Sequence, residues 1–89
     1  MAGKQVSAEQ LKVMAIFMAE PSEWFDGNAI ERKTELPGSS IRHFLFAFLR
    51  LGLLERVELH GGYRYRLSPM AETQPYFQRL QEAAATMKP

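Results

Sequence analysis

Residues 39–68 read SSIRHFLFAFLRLGLLERVELHGGYRYRLS, and the fold is decided in that stretch. Its first half has helical spacing. Ile41, Phe44, Leu45, Phe48, Leu49 and Leu51 all fall within about 80° of Ile41 on a wheel of 3.6 residues per turn. Ser39 or Ser40 can cap the start, and Gly52 stands where a helix ends in a left-handed residue. The second half alternates like strands. Leu53 to Leu59 and Tyr63 to Leu67 flank a glycine-rich tip, and Ser68-Pro69 closes the hairpin. A two-residue Gly61-Gly62 turn would set Leu59 against Arg64 and mix apolar with charged residues on one face. A three-residue loop, His60-Gly61-Gly62, sets Leu59 against Tyr63, Val57 against Tyr65 and Glu58 against Arg64. It keeps one face apolar and gives Gly62 the left-handed position of a bulge, so this register is expected.

Upstream, Leu36-Pro37-Gly38 breaks the chain. A short helix is expected from about Asn28 to Thr34, and Trp24-Phe25 as an extended piece ended by Asp26-Gly27. Ser7-Ala8-Glu9-Gln10 is a capping box that starts a helix running to about Glu20, before Pro21. Leu11, Met14, Ala15 and Met18 share one of its faces, while Val13, Ile16 and Phe17 fall on others. A helix apolar nearly all round is central to the core or covered by a partner. Downstream, Thr73 to Met87 reads as a last helix with Pro75 in its first turn and a stripe of Tyr76, Phe77, Leu80, Ala83, Ala84 and Met87. Residues 1–6 are expected to be a flexible tail.

The 89 residues fit one domain, with 46% hydrophobic and 24% charged residues, so an ordered globular chain is expected. With no cysteine and two histidines, disulfides, thiolate catalysis and zinc sites are not expected. No apolar run approaches the roughly 18–20 residues that span a bilayer, and no signal pattern opens the chain, so a reduced, soluble, cytoplasmic protein is expected. The net charge of +1 hides a polarity. Residues 1–31 carry −3, residues 32–66 carry +4 and residues 67–89 are neutral, and six of the seven cations in the middle third are arginine. Arginine hydrogen-bonds phosphates and guanine edges bidentately.

The order is helix, short strand, helix, tight turn, helix, hairpin: an α+β helix-turn-helix with a two-stranded wing and an added C-terminal helix. Trp24 to Ile30, Leu36 to Ile41, Leu49 to Arg56 and Gly61 to Ser68 carry a resemblance across residues 8–68. They are similar to the winged helix-turn-helix DNA-binding domains of PadR-like and MarR-like transcriptional regulators. The resemblance implies residues 7–68 as the winged-helix domain and residues 69–89 as a helix that can dimerise. It implies a recognition helix, 39–51, in the major groove of double-stranded DNA and a wing, 54–67, on the backbone or minor groove. Arg42-His43-Phe44 departs from the threonine-led stretch more usual in PadR-like recognition helices.

Outward on the third helix lie Ser39, Arg42, His43, Phe46, Ala47 and Arg50. Ser39 and Ser40 can meet phosphate or merely cap the helix. Arg42 and His43 sit where a base edge is in reach, and Arg50 is better placed for backbone phosphate. Phe46 suits a thymine methyl group, a protein interface or, with the helix rotated, the core. In the wing, Arg64 and Arg66 face away from Tyr63 and Tyr65 and can bracket a phosphate strand, though Arg64 can also pair with Glu58. The net charge is modest for DNA binding, which favours a homodimer that doubles the contacts. Val13, Phe17, Tyr76, Phe77, Leu80 and Met87 are the expected interface, unless the last helix folds back over the first. The expected function is a sequence-specific DNA-binding regulator of repressor type. The alternative is a winged-helix protein-interaction module in a replication, partition or phage complex. No spacing supports a nucleophilic or phosphate-cradling motif, so no enzyme, cofactor, metal or small-molecule ligand is expected.

Overall fold

Ser7 and Gln10 set the start of the chain's first helix. The Gln10 amide donates to Ser7 Oγ and the Ser7 amide to Gln10 Oε1, each at 3.1 Å, closing the capping box. The computed structural model describes residues 6–86. Helix α1 (Ala8–Ala19) buries Leu11, Val13, Met14 and Phe17 and packs against the second, third and last helices and the sheet. Its apolar circumference is thus covered by the chain itself, with Ala15 left exposed.

After Pro21 the chain extends into β1 (Phe25–Asp26), with the Phe25 ring edge-on to Phe17, centroids 5.6 Å apart. Asp26 Oδ1 accepts from the Ala29 amide at 2.8 Å and caps α2 (Gly27–Thr34). Buried Thr34 ends α2 neatly: its hydroxyl donates to the Ile30 carbonyl at 2.7 Å and accepts from the Leu36 amide at 3.3 Å. Glu35 then turns the chain with φ of 61°.

Helix α3 (Gly38–Arg50) begins earlier than the serines suggest. Pro37, fixed near φ −63°, is the N-cap, and its carbonyl accepts from the Ile41 amide at 3.1 Å. Ser39 and Ser40 therefore lie inside the first turn, and neither caps the helix, which is a correction. At the other end Gly52 takes φ of 77°. The Gly52 amide donates to the Leu49 carbonyl at 3.1 Å and the Leu53 amide to the Phe48 carbonyl at 2.9 Å, a Schellman motif that buries Leu53 against Phe48. Ile41, Phe44, Leu45 and Phe48 face the core. Leu51 does not: as the C-cap it is 40% exposed.

The hairpin differs from expectation by one residue. Strands β2 (Leu54–Leu59) and β3 (Gly62–Leu67) pair Leu59 with Gly62, Glu58 with Tyr63, Val57 with Arg64, Arg56 with Tyr65 and Glu55 with Arg66. The turn is His60-Gly61, both at positive φ (52° and 79°), as a type I′ turn requires. That turn matches the right-handed strand twist, and histidine tolerates its first position well enough that no third loop residue is needed. Gly62 is consequently a ladder residue, and Glu58 faces Tyr63 rather than Arg64. Val57 and Leu59 lose the expected apolar face and stand exposed. β1 pairs with the other side of β3, Phe25 with Tyr65 and Asp26 with Arg64, so the sheet order is β1-β3-β2.

A 3-10 turn at Ala71–Thr73 leads to α4 (Pro75–Thr86), where Pro75 is the first helical residue. Phe77 and Leu80 close on α1. Val13, Phe17, Phe77 and Leu80, expected at a dimer interface, are buried in the chain's own core because α4 folds back over α1. Tyr76 is half-buried beside Gln10, its hydroxyl 3.4 Å from Oε1. Met87 lies outside the described residues. The result is a winged helix: three helices, a short third strand, a two-stranded wing and an added helix.

Candidate nucleic-acid interface

Four inward apolar residues orient α3, and its remaining face is presented outward. Ser39, Arg42, His43, Phe46 and Arg50 are exposed. At about 100° per residue they occupy one sector of roughly 100°, and at 1.5 Å per residue the stripe runs about 16 Å. Phe46 is 47% exposed, which decides its position: it is not core. Ser40 is half-buried. The first turn of α3 has no side-chain cap, so its leading amides are not satisfied by a side chain.

Among the described residues one ion pair forms, between Arg66 and Glu55. Arg42, Arg50, Arg56 and Arg64 have no carboxylate partner there. This is the electrostatic condition for a surface that accepts phosphate.

The register decides which wing residues share the side of Tyr65, which is buried toward the helices. Arg56 and Tyr63 are on that side, the Arg56 guanidinium 4.2 Å from the Tyr63 ring centre. Tyr63 and Arg42 meet at a shallow pocket of about 230 Å³, which Asn28 and Glu31 of α2 also line. Arg64 and Arg66 are on the opposite sheet face. Arg64 is exposed. Arg66 is partly buried, with its guanidinium held by Glu55 and 4.4 Å from the Trp24 ring centre. The structure thus brings Ser39, Arg42, His43, Phe46 and Arg50 together, and sets Arg64 and Arg66 apart on the sheet's other face. Arg56 and Tyr63 are absent from the expected site, because the expected register sets Arg56 opposite Arg66, on the face away from Tyr65; the two-residue His60-Gly61 turn is the signal for them.

At its far end the α3 stripe meets α4. Arg50 and Leu51 share a cleft of about 530 Å³ with Gln10, Tyr76 and Arg79. Among the described residues no three His, Cys, Asp or Glu side chains gather as for a metal, and no helix is long and apolar enough to cross a membrane.

The architecture matches solved structures of transcriptional regulators. A possible transcriptional regulator from Methanosarcina mazei superposes with a TM-score of 0.68 at 23% identity, over 91% of this chain and 72% of that one. BpsR of Bordetella bronchiseptica, whose DNA binding is regulated by 6-hydroxynicotinic acid, superposes with a TM-score of 0.64 at 16% identity. That match covers 94% of this chain, which spans 65% of the BpsR chain. These likenesses establish the winged-helix fold. No protein-family model and no curated protein matches the chain.

Proposed function

We propose that this chain is a sequence-specific double-stranded DNA-binding transcriptional regulator of repressor type, acting as a homodimer and not as an enzyme. The observation that carries the reading is the outward stripe of α3, where two arginines without an ion-pair partner among the described residues, a histidine and a serine stand around Phe46. In this reading α3 enters the major groove, with Arg42 and His43 toward base edges, Phe46 toward a thymine methyl group and Arg50 toward phosphate. The first turn of α3, at Ser39 and Ser40, has no side-chain cap and in this reading receives a backbone phosphate, with the Glu31 carboxylate of α2 close by at Gly38. Arg64 adds a phosphate contact from the wing, and Arg66 sits behind it.

A small acid is an effector worth testing, since 6-hydroxynicotinic acid regulates DNA binding by BpsR. The Arg50 and Arg79 cleft is where this chain offers two cations to one. The 47% exposure of Phe46 favours a second reading, a protein-interaction module. Fluorescence anisotropy against random duplex across a salt series separates the two. DNA binding gives log affinity falling steeply with log salt, and a flat response favours the protein module. Selection of bound fragments from random genomic DNA then yields the operator.

A further inference from the structure

We propose that the β2 edge docks a second copy of this chain, strand to strand across a two-fold axis at Val57. In the order β1-β3-β2, β3 is covered on both sides, whereas the outer edge of β2 has no strand beside it among the described residues. A strand edge is a template for another strand.

The turn dictates which groups that edge offers. With a two-residue loop, Leu59 and Gly62 form a hydrogen-bonded pair, and such pairs alternate with non-bonded ones along the ladder. The backbone groups of Leu59, Val57 and Glu55 therefore point to β3, and those of Leu54, Arg56 and Glu58 point outward. An antiparallel copy must match outward residues to outward residues. Three registers set Arg56 and Glu58 against themselves or each other. Centring on Arg56 sets arginine against arginine, and centring on Glu58 sets glutamate against glutamate. Centring on Val57 sets Arg56 of each copy against Glu58 of the other, twice, by symmetry.

Directly opposed unlike charges stabilise a strand pair and like charges oppose it, so the edge selects its own complement in one register. Both residues are exposed, and neither has an ion-pair partner among the described residues. The same register covers Val57, 36% exposed on the other face, with its own counterpart. The two three-stranded sheets become one of six. This inference rests on the homodimer part of the proposed function and needs no nucleic acid, so its sedimentation test and the DNA titrations can fail independently.

Sedimentation equilibrium of the full chain tests it, with circular dichroism confirming that each variant is folded. The parent is expected as a concentration-dependent dimer of the 10.2 kDa chain. Arg56→Glu alone and Glu58→Arg alone each place like charges in both opposed positions and weaken the dimer by about tenfold or more. Mixing the two single variants restores association, because each now complements the other, and the double reversal Arg56→Glu with Glu58→Arg dimerises like the parent. A parent that stays monomeric through the micromolar range overturns the proposal. So does a dimer that neither reversal weakens, or single variants that fail to associate when mixed.

Discussion

The Arg66 guanidinium lies 4.4 Å from the centre of the Trp24 ring while Glu55 binds it from the neighbouring strand. An arginine from the wing is thereby joined to the segment before β1. Its charge is partly spent inside the protein, which separates it from the exposed arginines of α3.

Removing that contact tests its structural share. Arg66→Ala is expected to lower unfolding free energy by about 1 kcal/mol, from the lost cation–π contact and a partly exposed ion pair. Urea denaturation reads the change directly. In DNA binding the same substitution costs less than Arg42→Ala.

Arg42→Ala is expected to reduce affinity for the selected operator by roughly 1–3 kcal/mol and to relax sequence preference, whereas Arg64→Ala weakens all duplexes evenly. Anisotropy titrations of both variants against operator and random duplex decide it. Equal binding of the operator by parent and Arg42→Ala removes α3 as the reader.

Leu80, on the inner face of α4, is fully buried. Leu80→Ala should cost about 2–5 kcal/mol of stability. Chemical denaturation of the variant should show this loss at every protein concentration, because the residue packs within its own chain.

Two glycines give opposite outcomes. At Gly52 the φ of 77° is unfavourable for a side chain, and an added Cβ would lie 3.2 Å from Gln74 Nε2, so Gly52→Ala should destabilise by about 1–2 kcal/mol. At Gly27, first in α2, nothing lies within 4 Å of an added Cβ, and Gly27→Ala should stabilise by about 0.4–1 kcal/mol. Thermal melts of the pair should move in opposite directions.

What could be read from the sequence was what short-range chemistry controls. The Ser7 box, the Gly52 stop and the inward face of α3 from Ile41 to Phe48 each depend on residues within a turn or two, and all three appear in the structure; Leu51, expected on that face, is exposed as the C-cap. The start of α3 lies ahead of the serines, because Pro37 provides a fixed φ and a carbonyl where a side-chain cap is expected. The hairpin slipped because His60 accepts a positive φ that sequence rules reserve for glycine or asparagine. One residue of slip moves Arg56 to the face of Tyr65, while Arg64 and Arg66 stay on the other. The stripe on α4 was visible, but an apolar stripe does not say whose surface covers it; α1 of the same chain does.

Leu53 receives special constraint at the junction of rod and flap. Its amide is tied to the Phe48 carbonyl, its carbonyl takes the Ser68 amide at 2.8 Å, and its side chain is fully buried. The last turn of α3 and both feet of the hairpin are thereby clamped at one residue. A push on either arm is transmitted to the other as rotation of a stiff bracket, so whatever grips the flap also aims the rod.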